Sequence, residues 1–311
     1  MARKKIDDGM KNAPDSLTYY EYMSRLGKLF VLSSSPDSMP QYINPVVEFA
    51  EHQPESPRRN SLLAYVYNCQ PGNYHNFHKK REDVIMLYHK AYELLKNSDS
   101  PKLMPDLCAN LGDAYVFDND LPKAALWYRK ALFIADSLQL PKVQNASLYM
   151  GLGRIYLLLE DFEASLNCYQ QTEKSFSDLS LNLQAYFLNN YGNYYYYTKD
   201  YQTSLKKFLM LKKLLEKHDK RETFSMYLCK LNLADVYLNL NQLDLSDKCL
   251  DEVEDYMRKN GDETAIYYCN TIRIGQAVKK KDWNTVARIL AGEKSNDQLD
   301  FSLLQIRHQY L

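Results

Sequence analysis

An all-α solenoid of stacked antiparallel helix pairs is predicted by three features of this 311-residue sequence. Glycine and proline are scarce, at 10 and 11 residues, too few for the many tight turns of a β-rich fold, while 45% of the chain is hydrophobic. A five-residue pattern then returns along the chain: Leu111-Gly112-Asp113-Ala114-Tyr115, Leu152-Gly153-Arg154-Ile155-Tyr156, Tyr191-Gly192-Asn193-Tyr194-Tyr195, Leu233-Ala234-Asp235-Val236-Tyr237 and Ile274-Gly275-Gln276-Ala277-Val278. Its small residues are separated by 41, 39, 42 and 41 positions, a period typical of helical arrays. Finally, Ala124, Tyr128 and Ala131 follow Gly112 by 12, 16 and 19 positions, the small-aromatic-small face of a second helix packing back on the first.

Taken in order, the chain begins with Arg3, Lys4 and Lys5, but Ile6-Asp7-Asp8 follows where a signal peptide needs an apolar run. Residues 1–15 are expected to be a disordered or tag-like segment, and 16–311 a single repeat domain. The opening pair is predicted around Leu26-Gly27-Lys28-Leu29-Phe30 and from Met39 to His52. The next combines Leu63-Ala64-Tyr65-Val66-Tyr67 with Val84 to Lys96, separated by an insertion, Gln70 to Lys80, that carries Pro71-Gly72-Asn73. Five clear units follow. Ser165 and Tyr169, Ser204 and Phe208, and Ser246 and Leu250 keep the offsets of 12 and 16, whereas the last unit departs most, with Val278 in place of the aromatic. About seven pairs are expected, then a closing helix from about Asp297. The chain stops at Gln309-Tyr310-Leu311 without a Gly or Asn stop signal, as a piece truncated at its C-terminus would.

Leu111, Gly112, Tyr115, Ala124, Tyr128 and Ala131 match, position by position, the pattern of the tetratricopeptide repeat (TPR), which this sequence resembles. The resemblance implies a TPR-like right-handed superhelical solenoid whose first helices line a concave groove that holds a protein or peptide. A period near 40 in place of 34 predicts helices about one turn longer, since a turn takes about 3.6 residues. Long-period arrays of this kind resemble the sensory or input regions of bacterial signal-transduction proteins. The implied function is therefore a non-catalytic protein-binding module, with a free-standing cytoplasmic adaptor or scaffold as the alternative and an enzyme with an unrecognised site as a remote one.

Composition narrows the partners. Lys+Arg and Asp+Glu are equal at 39 each, so no bulk field gathers nucleic acid or an anionic membrane, and no window approaches the roughly 18 apolar residues of a membrane span. The six cysteines form no CxxC pair and lie among apolar neighbours, which reads as buried free thiols in a reducing compartment, hence the cytoplasm, or the periplasm if a leader preceded Met1. No GxxxxGK[ST], HExxH or GxSxG is present, so no catalytic residue or cofactor site is assigned. Cys69, His75 and His78 lack a fourth zinc ligand at a usual spacing, so no metal is assigned either.

The candidate binding residues flank the small positions, where the resemblance implies a groove-facing side chain: Asn110, Asp113, Arg154, Asn190, Asn193, Asn232, Asp235 and Arg273, with Tyr186 and Tyr197 giving flat contacts. The other reading of this polar series is that it bridges neighbouring helices. Self-association is expected through Phe301, Leu304 and Ile306 of the closing helix.

Overall fold

The computed structural model describes residues 2–32, 39–69, 81–220, 223–260 and 263–292. Among these are fifteen α-helices and no strand. Where one repeat domain over 16–311 was expected, the chain packs as two compact units, Met1–Ser175 and Phe176–Leu311. Each pair of a solenoid touches only its neighbours, so no single core binds the whole array together.

Unit 1 holds α1 (Ala2–Lys11) and four pairs: α2 (Ser16–Leu32) with α3 (Pro40–Glu51), α4 (Pro57–Cys69) with α5 (Arg81–Lys96), α6 (Met104–Phe117) with α7 (Leu121–Ser137), and α8 (Lys142–Leu158) with α9 (Phe162–Glu173). Unit 2 holds three: α10 (Leu181–Tyr197) with α11 (Tyr201–Lys217), α12 (Phe224–Asn239) with α13 (Leu243–Asn260), and α14 (Glu263–Lys280) with α15 (Trp283–Gly292). These are the seven antiparallel pairs of the repeat pattern. From α10 to α14 the helices run 16–18 residues, the extra turn that a forty-residue period calls for.

The N-terminal segment differs from expectation. Instead of lacking structure it forms α1, which packs on α2 because Gly9 leaves room for the Tyr22 ring; a Cβ there would overlap the ring. The insertion Gln70 to Lys80, His75 and His78 within it, and the closing helix from Asp297 with its self-association residues lie outside the described residues.

In three pairs the small residue of the first helix, Gly112, Gly153 or Gly192, meets the aromatic of the second. Gly112 and Gly151 both face the buried Tyr128 ring so closely that neither has space for a Cβ, and a Cβ on Gly192 would come 2.7 Å from Phe208. At Gly153 the fit to Cys168 and Tyr169 is looser, 3.2 Å. The same closeness lets a buried serine on the second helix donate to the carbonyl of the small residue: Ser165 Oγ to Gly153 O at 2.8 Å, Ser204 Oγ to Gly192 O at 2.9 Å, and Ser246 Oγ to Ala234 O at 2.6 Å. The fold thus uses these serines as bridges where alanine would fill space alone.

The turn inside a pair is equally regular. Asn119, Glu160, Lys199, Asn241 and Lys281 adopt φ of 60°, 59°, 62°, 59° and 60°. That left-handed residue reverses the chain, and in four of the five turns an aspartate follows to cap the second helix. Asp120, Asp161, Asp200 and Asp282 accept from the backbone N–H three residues on, at 3.1, 3.1, 3.0 and 3.1 Å. Hydrogen bonding, first with Lys123, Thr203 and Thr285 respectively, holds the Asp120, Asp200 and Asp282 carboxyls below the ordinary carboxylate range.

Two measurements check this account. Gly112→Ala and Gly192→Ala should each destabilise the protein by about 1–3 kcal/mol through overpacking, more than Gly153→Ala, in which the neighbours need only shift slightly; thermal melts that reverse this order would contradict the packing. For the caps, the folded-state pKa is depressed, so their stabilisation is present above the unfolded value near 3.9 and lost as pH falls through the folded value. The melting temperature should drop as pH falls below about 4, and the drop should shrink in the Asp120→Asn, Asp200→Asn, Asp282→Asn triple variant, since Asn caps a helix without titrating.

Candidate binding face

Helix geometry leaves one face of each first helix turned away from its own second helix, and side chains on that face meet those of the next first helix one repeat on. In unit 1, Asn110 Nδ2 donates to Asn68 Oδ1 at 2.8 Å, and Arg154 Nη2 donates to Asp113 Oδ1 at 2.9 Å. Asp113 also accepts from Tyr128 Oη at 2.9 Å, so it ties two first helices and a second helix together. In unit 2, Asn232 Nδ2 donates to Asn189 Oδ1 at 2.9 Å, Asn239 Nδ2 to Tyr196 Oη at 3.4 Å and Lys279 Nζ to Leu238 O at 2.8 Å. The partners are 41–43 residues apart in sequence, one repeat in each case.

This arrangement divides the ten candidate residues. Asn190, Asn232 and Asp235, expected to face a groove, are instead buried. Asn190 Nδ2 donates to Tyr186 O at 2.8 Å, and Asp235 accepts from Tyr268 Oη at 2.6 Å and Asn239 Nδ2 at 3.3 Å. Burial imposes these bonds, because a polar group taken from water without a partner costs about 1–3 kcal/mol. Arg273 is also engaged: it binds Asp247 at 2.9 Å, Glu254 at 2.8 Å and Asp251, all on α13. Asn110, Asp113 and Arg154 are half-buried rungs of the same series.

Tyr186, Asn193 and Tyr197 remain accessible. Tyr186 is 43% exposed, while Asn193 and Tyr197 are half-buried. Of the tyrosine run, Tyr191, Tyr194 and Tyr196 belong to the core, and Tyr196 meets Tyr197 edge to face at 5.7 Å. Tyr186 lines a groove of about 360 Å³ between α10 and α12, closed below by α11. Its floor is Leu181, Ala185, Leu211, Leu215 and Leu228, and its rim carries Asn182, Asn189, Lys220, Thr223 and Ser225. Of the ten candidates only Tyr186 lines it; the rim residues Asn182, Lys220, Thr223 and Ser225 sit about two helical turns or more N-terminal to the repeat signature, where the pattern says nothing.

A second groove, of about 710 Å³, runs along the corresponding face in unit 1, between α2, α4 and the short 3-10 turn Pro101–Leu103. Arg58 crosses one side of it, with Nε on Glu21 at 2.7 Å, Nη1 on Asp15 at 3.2 Å and Nη2 donating to Thr18 Oγ1 at 2.6 Å.

The thiols offer little reactivity. Cys108, Cys168, Cys229 and Cys269 are buried, and burial pushes each up to about 12, so they stay protonated at neutral pH. Among the described residues no group of His, Cys, Asp and Glu is placed to hold a metal ion, and no helix is long and apolar enough to cross a membrane.

Residues 146–172, spanning α8 and α9, match the tetratricopeptide repeat family model. No curated protein matches the sequence. Solved structures share the fold. A Rap protein complexed with competence and sporulation factor is 14% identical, with a TM-score of 0.67, over 99% of this chain and 80% of its own. NprR in complex with its cognate peptide NprX is 17% identical, with a TM-score of 0.62, over 93% and 82%. A tetratricopeptide repeat protein from Parabacteroides merdae is 12% identical, with a TM-score of 0.59, over 93% and 98%.

Because the polar series bridges first helices, Asn232→Ala and Asn110→Ala should each lower stability by about 0.5–1.5 kcal/mol, and the Asp113→Asn, Arg154→Met pair should be non-additive in a double-mutant cycle. Unchanged denaturant midpoints in all of these would show the bridges contribute nothing.

Proposed function

We propose that this chain, a tetratricopeptide-type repeat protein by its fold, is a non-catalytic module that binds an extended peptide or protein segment along the first-helix face, as the input region of a bacterial regulatory protein. The observation that carries the reading is the groove between α10 and α12, where an apolar floor is set beside an exposed Tyr186 and a rim of amide, hydroxyl and lysine groups. Such a mixture suits a polypeptide: leucines accept its side chains, an aromatic face gives contact area at low entropic cost, and the polar rim meets its backbone. The described groups of the bridging series are spent on the fold, so binding falls to the residues around them. The regulatory role takes its support from the Rap and NprR complexes, whose partners are a sporulation factor and a peptide.

Peptides selected from a random display library against the whole protein test this. Tyr186→Ala and Leu228→Asp should each weaken the selected peptides about tenfold or more, with Tyr186→Ala leaving the melting temperature unchanged because its side chain is exposed. Selection that enriches no peptide, or peptides indifferent to both substitutions, would overturn the reading.

A further inference from the structure

Charge of one sign collects on α11, the second helix of the first pair in unit 2. It carries five lysines and one carboxylate, Glu216, with Asp200 capping its start. Its surroundings do not offset that surplus. α10 has no charged residue, and α12 adds only Asp235, buried under Tyr268 Oη, once Lys230 is set against Glu252 at 2.8 Å. The six carboxylates of α13 are matched by its own Lys248, Arg258 and Lys259 and by Arg273, Lys280 and Lys230 bonded to it. Within α11, Lys212 pairs with Glu216 at 3.9 Å, and Lys207 lies 4.2 Å from the centre of the Tyr191 ring. Lys206, Lys213 and Lys217 remain, exposed and in no ion pair among the described residues.

Lys206, Leu209, Lys213 and Lys217 recur every three or four positions, so they form one stripe about 16 Å long, with Met210 beside it. Leu209 is 41% exposed and Met210 51%, so the middle of the stripe is apolar and its ends are cationic. At about 100° per residue it lies across the helix from Leu211 and Leu215, which floor the unit 2 groove. The face is a ridge, and the α11 backbone is spent on its own helix, so an extended peptide finds neither walls nor main-chain partners there. A nucleic-acid backbone would pair with the lysines but leave Leu209 and Met210 uncovered. A helix satisfies its own backbone and packs side chains ridge to groove. We infer that this face of α11 docks an acidic amphipathic helix of a partner protein, whose carboxylates meet Lys206, Lys213 and Lys217 and whose apolar residues cover Leu209 and Met210. The surface goes beyond the groove reading and does not rest on it. Its contacts are electrostatic at both ends, so they set the choice of partner and weaken with salt.

The test uses the whole protein and two fluorescein-labelled helical peptides in anisotropy titrations, one with Glu and Leu along one face and the other with Lys in place of Glu. The Glu–Leu helix should bind, lose affinity on raising salt from low to physiological, and bind about tenfold or more weakly to the Lys206→Glu, Lys213→Glu, Lys217→Glu variant. That variant should keep the helix content of the wild type, because all three side chains are exposed, and should bind the Lys–Leu helix that the wild type rejects. Leu209→Ser with Met210→Ser should weaken the Glu–Leu helix without removing its salt dependence. Equal binding of the Glu–Leu helix to wild type and triple variant, or none to either, would overturn the surface. So would tighter binding of the wild type to a single-stranded oligothymidine or to phosphatidylserine vesicles. Tyr186→Ala and Leu228→Asp alter the groove alone and should leave the Glu–Leu helix bound as before, so the groove reading and this surface stand or fall separately.

Discussion

The structure depends on how closely the two helices of each pair approach at the small residue of the first. Gly112 against Tyr128 and Gly192 against Phe208 leave no space for a side chain, and Tyr128 is gripped again by Gly151 of the following first helix. An aromatic ring seated on bare backbone buries a large apolar surface in a small volume, which is how a two-layer array without a central core gains its cohesion. Other regular features follow from that distance. Serines 165, 204 and 246 can reach a backbone carbonyl across the interface only because the helices are so near. The left-handed turn residue and the aspartate cap hold the second helix at the angle the contact requires.

A consequence for binding comes from the polar side chains of the first helices. The amide and ionic bridges from Asn68 to Asn110, Asp113 to Arg154 and Asn189 to Asn232 link one repeat to the next. They set the spacing of neighbouring first helices, and the bridge from Asn189 to Asn232 lies at the rim of the unit 2 groove. Each unit then presents its own chemistry. The unit 2 groove offers leucines, a tyrosine and a rim of amides, hydroxyls and a lysine, whereas the unit 1 groove is lined by charges of both signs, Arg25, Arg58 and Lys102 with Glu21 and Asp99.

The sequence by itself determined the helix-pair architecture, because the packing constraint is written in residue size: small residues 39 to 42 apart, an aromatic sixteen positions later, and few breakers elsewhere. Seven pairs and their order follow from counting those signatures. The helix Ala2–Lys11 carries a charged sequence with no repeat signature, and it packs on α2 with Tyr22 seated over Gly9. Tertiary structure alone decided which polar residues are open to a ligand. Asn232 and Asn193 look alike in sequence, yet one is buried on Asn189 Oδ1 and the other is partly exposed. Whether an amide bonds or stays open depends on what lies within 3 Å of it, and in a solenoid that neighbour comes from a helix about forty residues away, at a distance no local pattern encodes.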